Sequence, residues 1–542
     1  MPVAQYLQTL RSMQQSPNAT DAQALFAMLR MEPQLHHQAK PVLMVDPTFA
    51  PAYRVFDPGA AFEYHNTRMP MPRALRIPVN LDMLVRTLEE GAAQFRSFKA
   101  MGDGWGLGNA AHTSDWLVHC LGLNQMLPLE SDLFAAGAPP DSDLVRVQAG
   151  ITFERLNFQL AISGRTVLNQ PGFKDLTYVG CASVGGHGSG RFLGGIATQI
   201  EAVELVTLNA QNQVRVIRVE PTQGLSDPAK WRARYPPPRF DLLQDDSTFH
   251  AVRCAAGMLG IVYAVTARVQ PAFRMEESRT LMTWSQAWPT LQLLLADPAV
   301  HSAHLWLNPY KVGSATEHRC VLTELRRTTR PLGGSRALGI ALGGMNPLTD
   351  LVRLFISIAP AAIPCLVDEA LKSCVSQNVV MDSIEALDFG APNSLPVSAS
   401  SMGYDAALTP SVVAGLTTQV AAWAQTGNWI SSPVGLRWVR ASDDWFSPQF
   451  GRETVMLEVP ALKGTPNAAA TLTRYANYMM DTWGARPHWG QHNPMTRAQL
   501  ESVYGPVAVR NFASAVRTLN PNGFFDGPLT QQIGIRDIAN GL

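Results

Sequence analysis

Seven glycines crowd into the eighteen residues YVGCASVGGHGSGRFLGG, positions 178–195, together with one histidine and one cysteine. Glycine at that density opposes long regular structure, since each costs about 1 kcal/mol in a helix relative to alanine. The segment is either a solvent-exposed loop or a cradle whose backbone N–H groups approach an anion. Alone, it favours the loop. A second cluster, KAMGDGWGLGNAAHTSDWLVHCLGLNQML at 99–127, lies upstream and follows a predicted strand. Neither cluster is a GxGxxG between strand and helix with an acid roughly 20 residues on, so a Rossmann fold is not indicated. No GKS or GKT marks a P-loop. What remains is a different dinucleotide cradle, with two separated glycine turns around one pyrophosphate.

The rest of the chain narrows the partners. At 542 residues it exceeds one ordinary core. Charged residues are 16%, with 43 basic and 43 acidic, so no strong positive field draws nucleic acid. The cysteines, 120, 181, 254, 320, 365 and 374, form no CxxC pair; their scatter fits a reducing, cytoplasmic setting. The N-terminal MPVAQYLQTLRSMQQSPNAT lacks the apolar core of a signal peptide. The charge-free stretch 354–367 carries two prolines and is too short for a transmembrane segment.

Periodicity predicts an α+β protein. Residues 1–70 read as an N-terminal extension, helical and then proline-rich. Residues 71–275 alternate short strands and amphipathic helices, with a hairpin turning at Asn209–Asn212 in AVELVTLNAQNQVRVIRVEP. Residues 276–475 form a second unit. Its predicted helices are QAWPTLQLLLAD and LTDLVRLFISIAPAAIPCLVDEALKSCV, and its strands AHLWLNPY, GLRWVRAS and TVMLEVPAL. Residues 476–542 carry one helix near AATLTRYANYMMDTWG, then RPHWGQHN and a tail. The Gly-rich loop and apolar helix at 337–370 suit a buried cap helix or a hydrophobic entry lip equally.

Three segments in order, GDGWG (102–106), SVGGHGSG (183–190) and GMLGIV (257–262), resemble the FAD-binding domain of the vanillyl-alcohol oxidase / p-cresol methylhydroxylase (PCMH-type) superfamily. In that family the first loop wraps the pyrophosphate, the second runs beside the flavin ring, and a late strand closes over the cofactor. PVGLRWVRASDDWFSPQFGRETVMLEV (433–459) and GARPHWGQHN (484–493) are similar to the branch of sugar-lactone, alditol and flavin-type sterol oxidases. The resemblance implies a two-subdomain PCMH-type domain over 71–275, an α+β cap with an antiparallel sheet over 276–475, and a C-terminal segment, 476–542, returning to the flavin. It implies FAD contacts at Gly102, Asp103, Gly104, Trp105, Gly106, Ser183, Gly185, Gly186, His187, Gly188, Ser189, Gly190, Gly260, Ile261 and Val262.

The sequence departs from the family at three positions. The loop histidine that tethers FAD in many members is Trp105, which implies non-covalent FAD, with Cys181 a minor candidate for a link. The acid of the Glu-apolar-Arg strand is Gly435, while Arg437 is retained. The lysine of R-P-H-W-G-K is Gln491. Arg437, His488, Gln491 and His187 are the implied catalytic residues, with His492 a further base candidate and Asn493 a polar contact.

The leading expectation is an FAD-dependent oxidase or dehydrogenase. It takes a hydride from a CH–OH group of a small substrate, hydrophobic under the entry-lip reading of 337–370, and passes electrons to O2 or another acceptor. C–N or C–C oxidation of a natural-product intermediate and a flavin-binding homologue without turnover stand as alternatives.

Overall fold

A computed structural model describes residues 61–336, 356–388, 397–462 and 464–542. The expected extension before residue 61, and 337–355 of the glycine loop and apolar segment, lie outside the described residues. The first part is built on two sheets. Strands Ala74–Arg76, Trp116–His119 and Phe98–Met101 form a three-stranded parallel sheet. The helix Leu81–Ala93 follows its first strand; Asn80 caps it by accepting from the Met83 N–H, and Leu84, Val85 and Leu88 are buried. A seven-stranded sheet has the hairpin Ile200–Leu208 and Val214–Glu220 near its centre, antiparallel as predicted, with Ile261–Pro271 on the other flank of Ile200–Leu208.

The second part is an eight-stranded antiparallel sheet. Four of its neighbours position the site: Arg319–Thr328, Val300–Leu307, Val434–Val439 and Thr454–Leu462, in that order. Paired residues in such a sheet share a face. The register aligns Thr323, His304, Arg437 and Met456 in one row, and Val321, Trp306, Gly435 and Glu458 in a row two residues on, on the same face.

Three local readings differ from the structure. The glycine segment does not start as a loop: Tyr178–Ser183 is a short helix, anchored by buried Tyr178, Val179 and Cys181. The apolar stretch that reads as one helix is broken, with a 3-10 turn at Pro360–Ala362 before the helix Ile363–Lys372, because proline cannot continue the backbone ladder. The C-terminal 67 residues hold more than one helix. Arg497–Leu519 runs for 23 residues, and Gly505, at φ 77° before Pro506, kinks it and hides its periodicity in the sequence. Its C-terminal end is tied back to the first part, where Asn520 Nδ2 donates to Met258 O at 3.0 Å and Phe98 N to Phe524 O at 2.7 Å.

Candidate active site

A cavity of about 510 Å³ runs between the two parts, and residues within 102–108, 183–187 and 255–262 contribute to its wall. The strand Phe98–Met101 ends at this wall and releases the chain into Gly102–Gly106. Gly104 takes φ +71°, and a Cβ there would lie 2.8 Å from Tyr64 O. Its carbonyl accepts from Asn66 N (2.9 Å) and Thr67 N (3.0 Å) of the hairpin Ala61–Tyr64 and Thr67–Pro70. Trp105 donates from Nε1 to Asp103 Oδ2 at 3.1 Å and stacks on His65 with ring centroids 4.1 Å apart.

The three glycine segments are laced together. Ala256 N donates to Ser183 O at 2.8 Å, joining the second to the third. Buried Lys99 donates to Gly257 O at 3.1 Å, joining the first strand to the third; desolvation lowers its pKa to about 8. The segment 488–492 then closes the cavity. Leu107 N and Gly108 N donate to Gly490 O, Trp489 N to Val184 O, His488 N to Ser401 O, and His492 N to Ala399 O.

His187, His488, Arg437, Gln491 and Glu458 all line this cavity. His187 and His488 have ring centroids 6.1 Å apart. Burial, reinforced by Arg437 and His488, pushes the His187 pKa down to about 3. Burial alone takes His488 to about 4. Both rings are therefore neutral near pH 7, and their hydrogen bonds select complementary tautomers. His187 Nδ1 lies 2.9 Å from Gly188 O and must donate, leaving Nε2 as an acceptor. His488 Nδ1 accepts from Gly490 N at 3.1 Å, so its Nε2 carries the hydrogen. Arg437 is fully desolvated, which lowers its pKa to about 10 against the opposing attraction of Glu458, and it stays cationic.

Of the expected contacts, Gly102, Asp103, Gly104, Trp105, Gly106, Ser183, Gly186, His187, Gly260 and Val262 reach the cavity wall. Gly185, Gly188, Ser189, Gly190 and Ile261 do not. Gly185 abuts Pro448, and Gly188 abuts Asn169. Ser189 faces a small separate void beside His304. Gly190 N donates to Trp438 O at 2.9 Å, clamping the loop to the Arg437 strand. Ile261 is core. His492 is bonded to Thr473 Oγ1 instead, and Asn493 Oδ1 to Met495 N; neither reaches the cavity. Sequence reasoning missed Glu458 and Arg279, both cavity-lining. Glu458 is one acid in an apolar strand and Arg279 one charge in a mixed strand, and only the register shows which face each takes.

The donor set fits FAD. Three backbone turns with little side-chain bulk line one elongated cavity, and a cation and two neutral imidazoles stand at the cap side. Fold and cavity together define a PCMH-type FAD-binding flavoprotein. Residues 72–215 match the family model of the FAD binding domain, and residues 265–533 that of D-arabinono-1,4-lactone oxidase. D-arabinono-1,4-lactone oxidase of Eremothecium gossypii is 24% identical, over 54% of this chain and 48% of its own, so the match spans about half the length of that relative. L-gulonolactone oxidase of Scyliorhinus torazame is 24% identical over 83% of this chain and 92% of its own. The crystal structure of cholesterol oxidase from B. sterolicum shares the fold, with a TM-score of 0.69 at 12% identity over 90% of this chain and 99% of that one. The chain has the two-domain make-up of the PCMH-type FAD-dependent oxidoreductases, and its relatives include sugar-lactone and alditol oxidases.

Proposed function

We propose that the protein oxidises a CH–OH group of a small hydroxylic substrate, with Arg437, His187, His488 and Gln491 as its site residues and non-covalent FAD as its cofactor. The observation that carries this is the meeting of Arg437 with two neutral imidazoles of opposite tautomer in the cavity walled by the glycine turns. FAD, when bound, supplies the two-electron acceptor. A substrate hydroxyl donates to His187 Nε2 and accepts from His488 Nε2–H, which orients its carbon. As the proton leaves, Arg437 and His488 stabilise the charge growing on oxygen. The same charge opposes the field of Arg437 at His187 and raises that ring's affinity for the proton.

Non-covalent attachment is supported by Trp105 in the first loop and by the Cys181 thiol, which burial pushes up to about 12. The apolar cap-side wall of Leu366, Val367, Ala370, Val397 and Leu462 supports a substrate with an apolar portion. We assign 71–275 to the cofactor, 276–475 to the substrate, and 476–542 to closing the flavin site. No helix among the described residues is long and apolar enough to cross a membrane. Six free cysteines support a reducing, cytoplasmic location. The absorbance spectrum of purified protein tests the cofactor. Anaerobic bleaching by a panel of lactones, alditols and sterols, then exposure to air, tests the chemistry and separates O2 from another acceptor. Protein that neither carries nor takes up FAD would overturn the reading.

A further inference from the structure

Glu458 faces the cavity from the strand beside Arg437, at the position paired with Gly435. Gly435 offers no side chain there; a Cβ would have as its nearest neighbours Trp306, at 3.7 Å, and the Glu458 Cβ, at 4.0 Å. The space above this glycine is left to the carboxylate. Gln491 Nε2 donates to Glu458 Oε1 at 2.8 Å, which fixes one oxygen from the closing segment. Glu458 is also the charge that opposes the desolvation of buried Arg437. The other cavity-lining guanidinium, Arg279, lies three strands from the Arg437 strand, roughly 14 Å away at normal strand spacing, and is paired with Glu277 at 3.0 Å. Among the described residues, the part of the cavity around Arg437 thus holds one cation, one carboxylate, a neutral amide and two neutral imidazoles.

We propose that Glu458 is the charge-selecting carboxylate of the substrate site: it accepts hydrogen bonds from a neutral hydroxylic substrate and prevents Arg437 from capturing carboxylates. The physical reason is that a desolvated guanidinium is a strong bidentate receptor for any carboxylate. A lone Arg437 would bind a hydroxy acid in preference to the alcohol or lactone of the same skeleton. With Glu458 beside it, an incoming carboxylate meets a like charge in a poorly screened cavity, whereas a hydroxyl finds both a donor and an acceptor. The proposal rests on the oxidoreductase reading above and identifies the substrate charge class of that site.

The test uses FAD-loaded protein and L-gulonate, the open carboxylate form of a sugar lactone, as its probe. Glu458→Gln keeps the shape and the Gln491 contact but removes the charge; Glu458→Asp keeps the charge. Calorimetry is expected to show L-gulonate binding at least roughly tenfold tighter to Glu458→Gln than to wild type, since like-charge contacts in a site cost several kcal/mol. Glu458→Asp is expected to bind as weakly as wild type. The reduction potential of bound FAD should rise in Glu458→Gln alone. Flavin content and melting temperature report folding of each variant. Equal L-gulonate affinity in wild type and Glu458→Gln would overturn the proposal. A wild type that takes up no FAD would instead sink the oxidoreductase reading and this role of Glu458 with it, an outcome distinct from equal L-gulonate affinity in FAD-loaded proteins.

Discussion

Leu107 donates its backbone N–H to Gly490 O at 2.7 Å, bridging the first glycine loop and the segment that carries His488 and Gln491. Gly108 makes a second bond to the same carbonyl at 3.1 Å, and a Cβ at Gly108 would lie 2.5 Å from Gln491 O. Backbone on both sides of this junction leaves no room for a side chain. Gly108→Val should therefore separate the loop from the closing segment, at a cost of about 1–3 kcal/mol for overpacking. The expected outcome is weaker FAD retention together with lower turnover, measured as flavin-to-protein ratio and steady-state rate. Unchanged flavin content with normal turnover would show that the junction does not hold the cavity.

The pH profile follows from the buried titrating groups. His187, at about 3, and His488, at about 4, act as neutral rings, so acid loss should begin only below pH 5. Arg437, at about 10, keeps its charge up to that pH and loses it above. The rate constant kcat/KM should be level from about pH 5 to 9 and fall on both sides. An inflection near 6.5, the ordinary imidazole value, would place a solvated histidine in the reaction instead.

Removing the Arg437 charge tests its place directly. Arg437→Met deletes the only group among the site's histidines, glutamine and arginine that is cationic at neutral pH. Loss of one preorganised electrostatic contact of this kind lowers turnover by about 100-fold or more. Flavin content should stay near wild type, since the cradle is built from other elements. A variant with normal kcat would remove Arg437 from the mechanism.

The flavin should leave the protein on acid precipitation. The Cys181 thiol, raised to about 12 by burial, is no nucleophile near neutral pH. Cys181→Ala should retain the same amount of FAD, released to the supernatant as in wild type. Flavin that stays with the precipitated wild-type protein and is freed in Cys181→Ala would establish the cysteinyl bond instead.

Acid lability is expected from the same burial. His119 and His301, like His488, are held near 4, and His187 near 3. An unfolded histidine titrates near 6.5, so between that pH and the folded value the unfolded chain binds more protons. Stability contributed by each neutral ring is present above pH 6.5 and falls as pH drops, by about 1.4 kcal/mol per pH unit per ring until the folded pKa is reached. Melting temperature should decline steeply between pH 6.5 and 4. A flat profile over that interval would mean that these rings are solvated or paired.

The local order of elements was legible in the sequence because it depends on short-range pattern. The hairpin around Asn209–Asn212 and the strands carrying Arg437 and Glu458 formed over the stretches that read as strands. The three glycine segments, in their order and spacing, could be tied to a flavin cradle through their resemblance to a known family, and Trp105 and Gly435 marked the departures from it. Breaks that involve proline and glycine inside helical runs, at Pro360 and Gly505, were harder to read, since the same residues occur in kinked helices and in loops.

What only the tertiary structure decided was which side chains meet. The His-Gly-Ser-Gly run reads as one flavin-side unit, yet Gly188, Ser189 and Gly190 leave the cavity, Gly190 clamping the Arg437 strand, while His187 alone of the four lines it. Glu458 reads as one acid in an apolar strand, and the register sets it opposite Gly435. A sequence specifies alternation along a strand but not the partner across it. That pairing is set by sheet register and closure, through contacts between residues far apart in the chain.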